Sequence, residues 1–237
     1  MRIDKFLTSC GKCSRTEASK LAKRGEITVN GKTVKDTSLH IDPEKDVITL
    51  SGEALNYQKF VYIMLNKPEG YVCATEDAGP TVIELLSPEL QKMGLFPCGR
   101  LDKYTLGFVL LTNNGPLAHA LLSPKHHAEK KYRFSLANSL CEEDRITLEK
   151  GVSISTPRGT YSTKPCTIEM ESDKSGVITL TEGKYHQIKK MAEAVKNKIV
   201  FLERISFAGI ELDGKLSRGE YRYLSESEQA MLESHSV

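Results

Sequence analysis

Gly99-Arg100-Leu101-Asp102-Lys103-Tyr104-Thr105-Leu106-Gly107-Phe108-Val109-Leu110-Leu111-Thr112 is the stretch on which the reading of this sequence turns. A glycine, a long cation and a carboxylate stand just upstream of Thr105-Leu106-Gly107, and the apolar run Phe108–Leu111 follows. A short unbroken apolar run bounded by turn residues predicts a strand buried on both faces. An acid before such a strand is commonly a loop cap or a surface residue. Asp102 therefore gains meaning only from the polar clusters elsewhere in the chain.

Further strand-like runs recur on both sides of it: Phe60–Leu65, Gly70–Ala74, Tyr132–Leu136, Cys166–Met170, Val177–Thr181 and Phe201–Ser206. Helical patterns lie between them at Val82–Leu86, Leu117–Leu122, Cys141–Lys150 and His186–Val195. Strands mixed with helices, without a regular alternating repeat, predict an α+β domain with a mainly antiparallel mixed sheet flanked by helices.

The first fifty residues read differently. Ile3, Phe6 and Leu7 mark one face of a short helix. Ser14-Arg15-Thr16-Glu17 has the spacing of a capping box, Ala18, Leu21 and Ala22 supply an apolar stripe, and Gly25 is a stop. Asn30-Gly31 between Ile27-Thr28-Val29 and Thr33-Val34 predicts a tight hairpin. The expected organisation is a helix–helix–hairpin module at 1–52, a polar linker at 53–59, and a larger domain at 60–237.

Composition is that of a globular protein: 39% hydrophobic, 27% charged, 17 Gly and 9 Pro in 237 residues, which excludes disordered and collagen-like classes. The formal net charge of +2 points to no polyanionic partner. That sum is a cancellation. Met1–Lys35 is strongly basic, with six Lys and three Arg against Asp4, Glu17 and Glu26, whereas Asp36–Tyr57 carries Lys45 against five acids. A solvated helix surface and a nucleic-acid face both fit such a run.

No apolar run approaches the roughly 18 residues of a membrane span, and Lys5, Lys12 and Arg15 interrupt any apolar signal core. The six cysteines are too dispersed for a small disulfide framework, so a reduced, cytoplasmic protein is expected. Cys10-Gly11-Lys12-Cys13 has zinc-like spacing but lacks a second ligand pair, and two thiols in an interhelical loop is the better reading.

Two clusters remain. Ser123-Pro124-Lys125-His126-His127-Ala128-Glu129-Lys130-Lys131-Tyr132 is basic and ends in an aromatic at a strand start. It suits a nucleotide whose base stacks on Tyr132 and whose phosphates meet Lys125 and Lys130; a polar loop and a half-buried strand aromatic are the plainer alternatives. Gly183-Lys184-Tyr185-His186-Gln187-Ile188-Lys189-Lys190-Met191 opens a helix on which His186 and Lys189 share a broad face.

In combination these pieces resemble the RsuA family of RNA pseudouridine synthases. The matching stretches are Leu65-Asn66-Lys67-Pro68-Glu69-Gly70, Gly99 to Gly115, Ser123 to Tyr132, Glu182 to Met191 and Gly219-Glu220-Tyr221-Arg222, in order over nearly the whole chain. The N-terminal module resembles the RNA-binding domain shared with small-subunit ribosomal protein S-four. Phe108 and Lys189 depart mildly from the family, which commonly has Leu and Arg there. Gly-Tyr-Val-Cys after the first motif, with SPKHHAEKKY, looks closest to the member that modifies uridine 516 of 16S ribosomal RNA. Large-subunit relatives share the other motifs.

The resemblance implies an enzyme without cofactor or metal that isomerises uridine on a flipped-out base, with a ribosomal RNA partner, no membrane and a monomeric state. It implies Asp102 as the catalytic carboxylate, acting either covalently or on a sugar proton. Tyr132 would close one face of the uracil, and Lys189 would pair with Asp102 and hold its rotamer. Leu101 and Ile188 would wall the pocket, while Arg100 and His186 would contact RNA. Lys5, Lys12, Arg15, Lys20, Lys23 and Arg24 would contact the RNA backbone.

Overall fold

The computed structural model of the chain describes residues 1–123 and 128–236. Lys125, expected at a phosphate, lies outside the described residues. By packing the chain divides into two compact units, Met1–Val61 with Ile83–Phe96, and Tyr62–Val82 with Pro97–Val237.

The first unit begins with α1 (Ile3–Ser9) and α2 (Arg15–Lys23). The Ser14 hydroxyl accepts from the Glu17 amide at 3.3 Å, and the Glu17 carboxylate accepts from the Ser14 amide at 2.8 Å, so α2 starts where the capping box predicts. Gly25, at φ +77°, ends it. Strands β1 (Ile27–Val29) and β2 (Lys32–Thr33) pair antiparallel across Asn30 (φ +51°) and Gly31 (φ +77°), the two left-handed positions that a type I′ turn requires. β3 (Ile48–Leu50) and β4 (Glu53–Ala54) complete a four-stranded sheet of order β2-β1-β3-β4.

Ile3, Phe6, Leu7, Ala18, Ala22, Ile27 and Ile48 form this unit's core, with Cys13 buried among them. The polar stretch after Gly52 is packed rather than free: Glu53–Ala54 pairs with β3, and the Tyr57 ring stacks on Phe6 at 5.5 Å. Ile83–Phe96, which includes α3 (Pro88–Gln91), belongs to this unit too. Gly11 sits at φ +69°, and a Cβ there would come within 2.5 Å of the Glu89 carbonyl oxygen, so the position requires glycine twice over.

The second unit is built on one sheet of order β11-β12-β8-β13-β7-β5-β15. In chain order its elements are β5 (Tyr62–Lys67), β6 (Phe96–Pro97) at its boundary, β7 (Leu106–Thr112), α4 (Gly115–Leu122), β8 (Lys130–Leu136) and α5 (Glu142–Lys150). There follow β9 (Ser153–Thr156), β10 (Gly159–Ser162), β11 (Thr167–Met170), β12 (Ser175–Leu180) and α6 (Gln187–Ala194). The last are β13 (Ile199–Phe207), β14 (Ile210–Glu211), β15 (Tyr221–Tyr223) and α7 (Glu226–Glu233). β9 and β10 form a separate hairpin, and β14 folds back on β13. Along the main path all neighbours are antiparallel except β13 and β7, which run parallel. The α+β class and the mixed, mainly antiparallel sheet are those expected.

Every residue of β5 and all but the first of β7 are buried, as unbroken apolar runs should be. β8 and β12 alternate buried and less buried residues, the period of a sheet with one covered face. Two expected elements differ. Gly70–Ala74 is no strand: Val72 makes a single bridge to Thr81, while Gly70 turns at φ +87° and gives its amide to the Lys103 carbonyl at 2.9 Å. Val82–Leu86 is only a 3₁₀ turn over Val82–Leu85, cut short by Ser87-Pro88.

The parallel pair of β7 and β13 places Gly107 opposite Arg204. Gly107 has φ +98°, and a Cβ there would run into the Arg204 backbone. Gly107→Ala should therefore cost at least about 2 kcal/mol, from left-handed strain plus overpacking. Gly115→Ala, at the start of α4 with open space around it, should be neutral or stabilising by up to ~1 kcal/mol. Urea denaturation midpoints of the two variants check this pair of outcomes.

Candidate active site

The turn from Gly99 to Thr105 projects Asp102 from the start of β7. It is held from below by Lys67, the last residue of β5. Lys67 is fully buried, and its Nζ donates to the carbonyls of Pro68, Lys103 and Thr105 at 3.0, 3.0 and 2.9 Å. Burial pushes this ammonium down to about 8, and nearby Cys73 and Asp102 oppose that fall. A backbone bond from the Thr105 amide to the Asp102 carbonyl, 3.0 Å, closes the turn. Both sides of the turn are thereby tied to the sheet.

Asp102 lies in a pocket with Arg100, Leu101, Tyr132, His186, Ile188 and Lys189. Lys189 Nζ donates to Asp102 Oδ2 at 2.7 Å, and His186 Nε2 stands 3.4 Å from Oδ1. The carboxylate thus has one nitrogen group against each oxygen, with its side chain about a quarter exposed, at 27%. Leu101, Ile188, Leu180 and Leu202 supply the apolar wall. Tyr132 comes from β8, where it sits opposite Ile178 of β12 and Arg204 of β13, and only 9% of it is exposed.

His186 and Lys189 reach Asp102 because of how α6 begins. His186 is its N-cap and takes a left-handed conformation, φ +51° and ψ +33°, which is rare for a non-glycine residue. Gln187 fixes that start: its Oε1 accepts from the Lys184 amide at 2.8 Å, and its Nε2 donates to Glu182 at 2.7 Å. The Tyr185 ring stacks on His186 with centroids 3.9 Å apart. One turn further along the helix, Lys189 faces the same carboxylate.

The structure brings together Asp102, Tyr132, Lys189, His186, Arg100, Leu101 and Ile188. Lys130, expected at a phosphate, is buried. It shares the inward face of β8 with Tyr132 and Phe134, is 8% exposed, and its Nζ donates to the Ala128 carbonyl at 2.6 Å. A period of two puts Lys130 on the same side as Tyr132, which was readable from the spacing alone. The outward cations of that strand, Lys131 and Arg133, face Glu129, Glu211 and Glu171 instead.

Lys5, Lys12, Arg15, Lys20, Lys23 and Arg24 are all exposed on the first unit, with Arg24 paired to Glu26. Sequence reasoning missed Lys67 as a clamp, although a lysine two residues beyond the apolar run Phe60–Leu65 was a visible signal. It also missed the contact of His186 with Asp102, which depends on a backbone conformation that no spacing reveals. Among the described residues, no group of three or more His, Cys, Asp or Glu could hold a metal ion.

The model of the RNA pseudouridylate synthase family matches residues 61–194, and that of the S4 domain matches residues 1–48. An RNA pseudouridine synthase of Bacillus subtilis (strain 168), YtzG, is 46% identical, with 98% of both chains covered. Ribosomal small subunit pseudouridine synthase A of Pasteurella multocida (strain Pm70) is 40% identical over 97% of this chain and 98% of its own. The synthase of that name from Escherichia coli (strain K12) is 39% identical over 97% and 99%. A crystal structure of a pseudouridylate synthase superposes with a TM-score of 0.69 at 37% identity, covering 98% of this chain and 99% of that one. Family models that together span both parts of the chain, and full-length relatives at this identity, have one meaning: the chain belongs to the RNA pseudouridylate synthase family, in its RsuA-type branch with an N-terminal S4 domain.

Proposed function

We propose that this protein converts one uridine of 16S ribosomal RNA, the counterpart of uridine 516, to pseudouridine, with Asp102 as the catalytic carboxylate. One observation carries the catalytic assignment. In a pocket lined by Arg100, Lys184, His186 and Lys189, Asp102 is held at the apolar wall by Lys189. A protein that merely bound a polyanion would gain nothing from a carboxylate at that point. The small-subunit target is supported by relatives of that name at 38–40% identity over nearly the whole chain.

The reaction breaks the bond from ribose C1′ to base N1, turns the base, and joins C1′ to C5; the proton leaves C5 and N1 gains one, so atoms balance without a co-reactant. The nucleotide must first leave the stack, since its ribose is otherwise out of reach of a protein carboxylate. Exposed Arg100, at the pocket mouth, would contact the RNA beside the extruded nucleotide. Tyr132 would cover one face of the uracil, and Leu101 and Ile188 would exclude water while the base is detached. Lys189 would keep the Asp102 carboxylate aimed at the sugar. The reaction is placed in the cytoplasm, where ribosomal RNA is made into subunits, and a monomer suffices for it.

Asp102→Asn should bind a 16S transcript with near-normal affinity and form no pseudouridine; near-normal product would sink the assignment. For the target, pseudouridine-specific chemical mapping of RNA from cells lacking the gene should show loss of one small-subunit mark. Loss of a large-subunit mark would move the substrate there. For the exposed cations of α2, Lys20→Gln with Lys23→Gln should flatten the salt dependence of transcript binding by about 0.7–0.9 in log–log slope per lost phosphate contact. The maximal rate at saturating RNA should be unchanged. Neutral substitutions are preferable to deleting the module, because Ile83–Phe96 packs as part of the same unit.

A further inference from the structure

Next to the catalytic pocket lies a second cavity, with Arg100, Tyr132, Glu182 and Lys184 in both linings. Lys130, Lys164 and Arg204 are lined up on this second cavity alone. Its character is cationic, and two of the cations are buried: Lys130 is 8% exposed and Arg204 1%.

Neither forms an ion pair among the described residues, although Glu182 lies near enough to favour the charged form of Lys130. Arg204 Nε donates to the Phe108 carbonyl at 2.7 Å, and its guanidinium lies 5.0 Å from the Phe207 ring centre. Its Nη2 is buried without a hydrogen-bond partner among the described residues. Lys130 spends one of its three N–H donors on the Ala128 carbonyl and lies 5.6 Å from the same ring centre. Burial, with Arg204 adding its repulsion, pushes Lys130 down to about 8, so it is still largely charged at neutral pH. The one carboxylate in the lining, Glu182, is committed to the fold, its Oε1 accepting from the Lys164 amide at 2.8 Å and from Gln187. Buried cations with an orphaned donor and no ion-paired carboxylate among the described residues are costly in a folded protein. An anionic ligand would remove that cost.

We propose that this cavity is a phosphate-binding subsite, in which Arg204, Lys130 and Lys164 hold a phosphate group beside the nucleotide whose base enters the Asp102 pocket. The identity of that nucleotide rests on the pseudouridylation reading; the anion subsite itself does not. A phosphate anchored there would set the ribose against Asp102, which is how remote binding supplies orientation at a reacting carbon. The phosphate chemistry is shared by a backbone phosphodiester of RNA and by free phosphate, and the test separates them.

In the full-length protein, inorganic phosphate is titrated and followed by ³¹P line broadening. Saturable binding is expected, weakened at least about ten-fold by Lys130→Met and by Lys164→Gln, and unchanged by Lys45→Gln on the first unit. Binding of a 16S transcript is then measured against salt in the Asp102→Asn background. Adding Lys130→Met should lower the log–log slope by about 0.7–0.9, the signature of one lost backbone phosphate. Phosphate binding with an unchanged slope would support the subsite and make free phosphate its ligand. Absence of saturable phosphate binding together with an unchanged slope would overturn the proposal. Should Lys130→Met fail to fold by circular dichroism, Lys164→Gln carries both comparisons. Pseudouridine formation by the unaltered protein is scored separately, so a missing product counts against the reaction assigned above and not against the subsite.

Discussion

A single buried ammonium holds the turn that carries Asp102 in place. Lys67 ends a strand buried along its whole length, and three carbonyls, two of them in the turn that carries Asp102, take its three N–H donors. Burying a charge is unfavourable unless its hydrogen bonds are made good. Here they are, and the favourable arrangement exists only when the Asp102 turn is closed. The same turn is braced by Gly70, whose amide meets the Lys103 carbonyl. Beyond it, Gly107 permits β7 to lie against the backbone of Arg204. These three act on the backbone of the turn, while Leu101 and Thr105 are buried within it and Lys189 bonds the carboxylate itself.

Charge at the site is organised over a few ångströms, and the net charge of the chain says almost nothing about it. Lys189 and His186 flank the two oxygens of Asp102, while Arg100 and Lys184 line the same pocket. The acids that cancel these cations in the total include those at 36–57, in the other unit, and Glu226, Glu228 and Glu233 on α7. Glu228 is in any case occupied, pairing with Arg222 at 2.8 Å. An RNA phosphate approaching the pocket meets a local field that is positive around one guarded carboxylate.

Much of the local structure was legible. The Ser14–Glu17 capping box, the Asn30-Gly31 hairpin and the apolar runs of β5, β7 and β13 each depend on neighbours in sequence, so short-range rules read them correctly. The hairpin of β9 and β10, the short β14 and β15, and α7 were not anticipated, although Ser225 and Glu228 form a second capping box. Gly70–Ala74 misled because its alternating residues suit a strand, yet its amides are spent on turns and loops: Gly70 on Lys103, Val72 on Pro80 and Ala74 on Val72. Lys130, read as a phosphate contact, is carried to the interior by its place in the β8 alternation.

By itself the sequence determined many of the elements, the membership in the RNA pseudouridylate synthase family, and most of the residues from which the pocket is made. Those are properties of composition, period and motif, which survive in one dimension. Only the tertiary structure decided that His186 shares Asp102 with Lys189, that Lys67 clamps the turn, and that Lys130 and Arg204 face a common cavity. These contacts join residues such as Lys189 and Asp102, 87 positions apart in the chain, and Arg204 and Phe108, 96 apart. Such pairs are set by strand order, register and one left-handed residue at the start of α6, none of which any local pattern encodes.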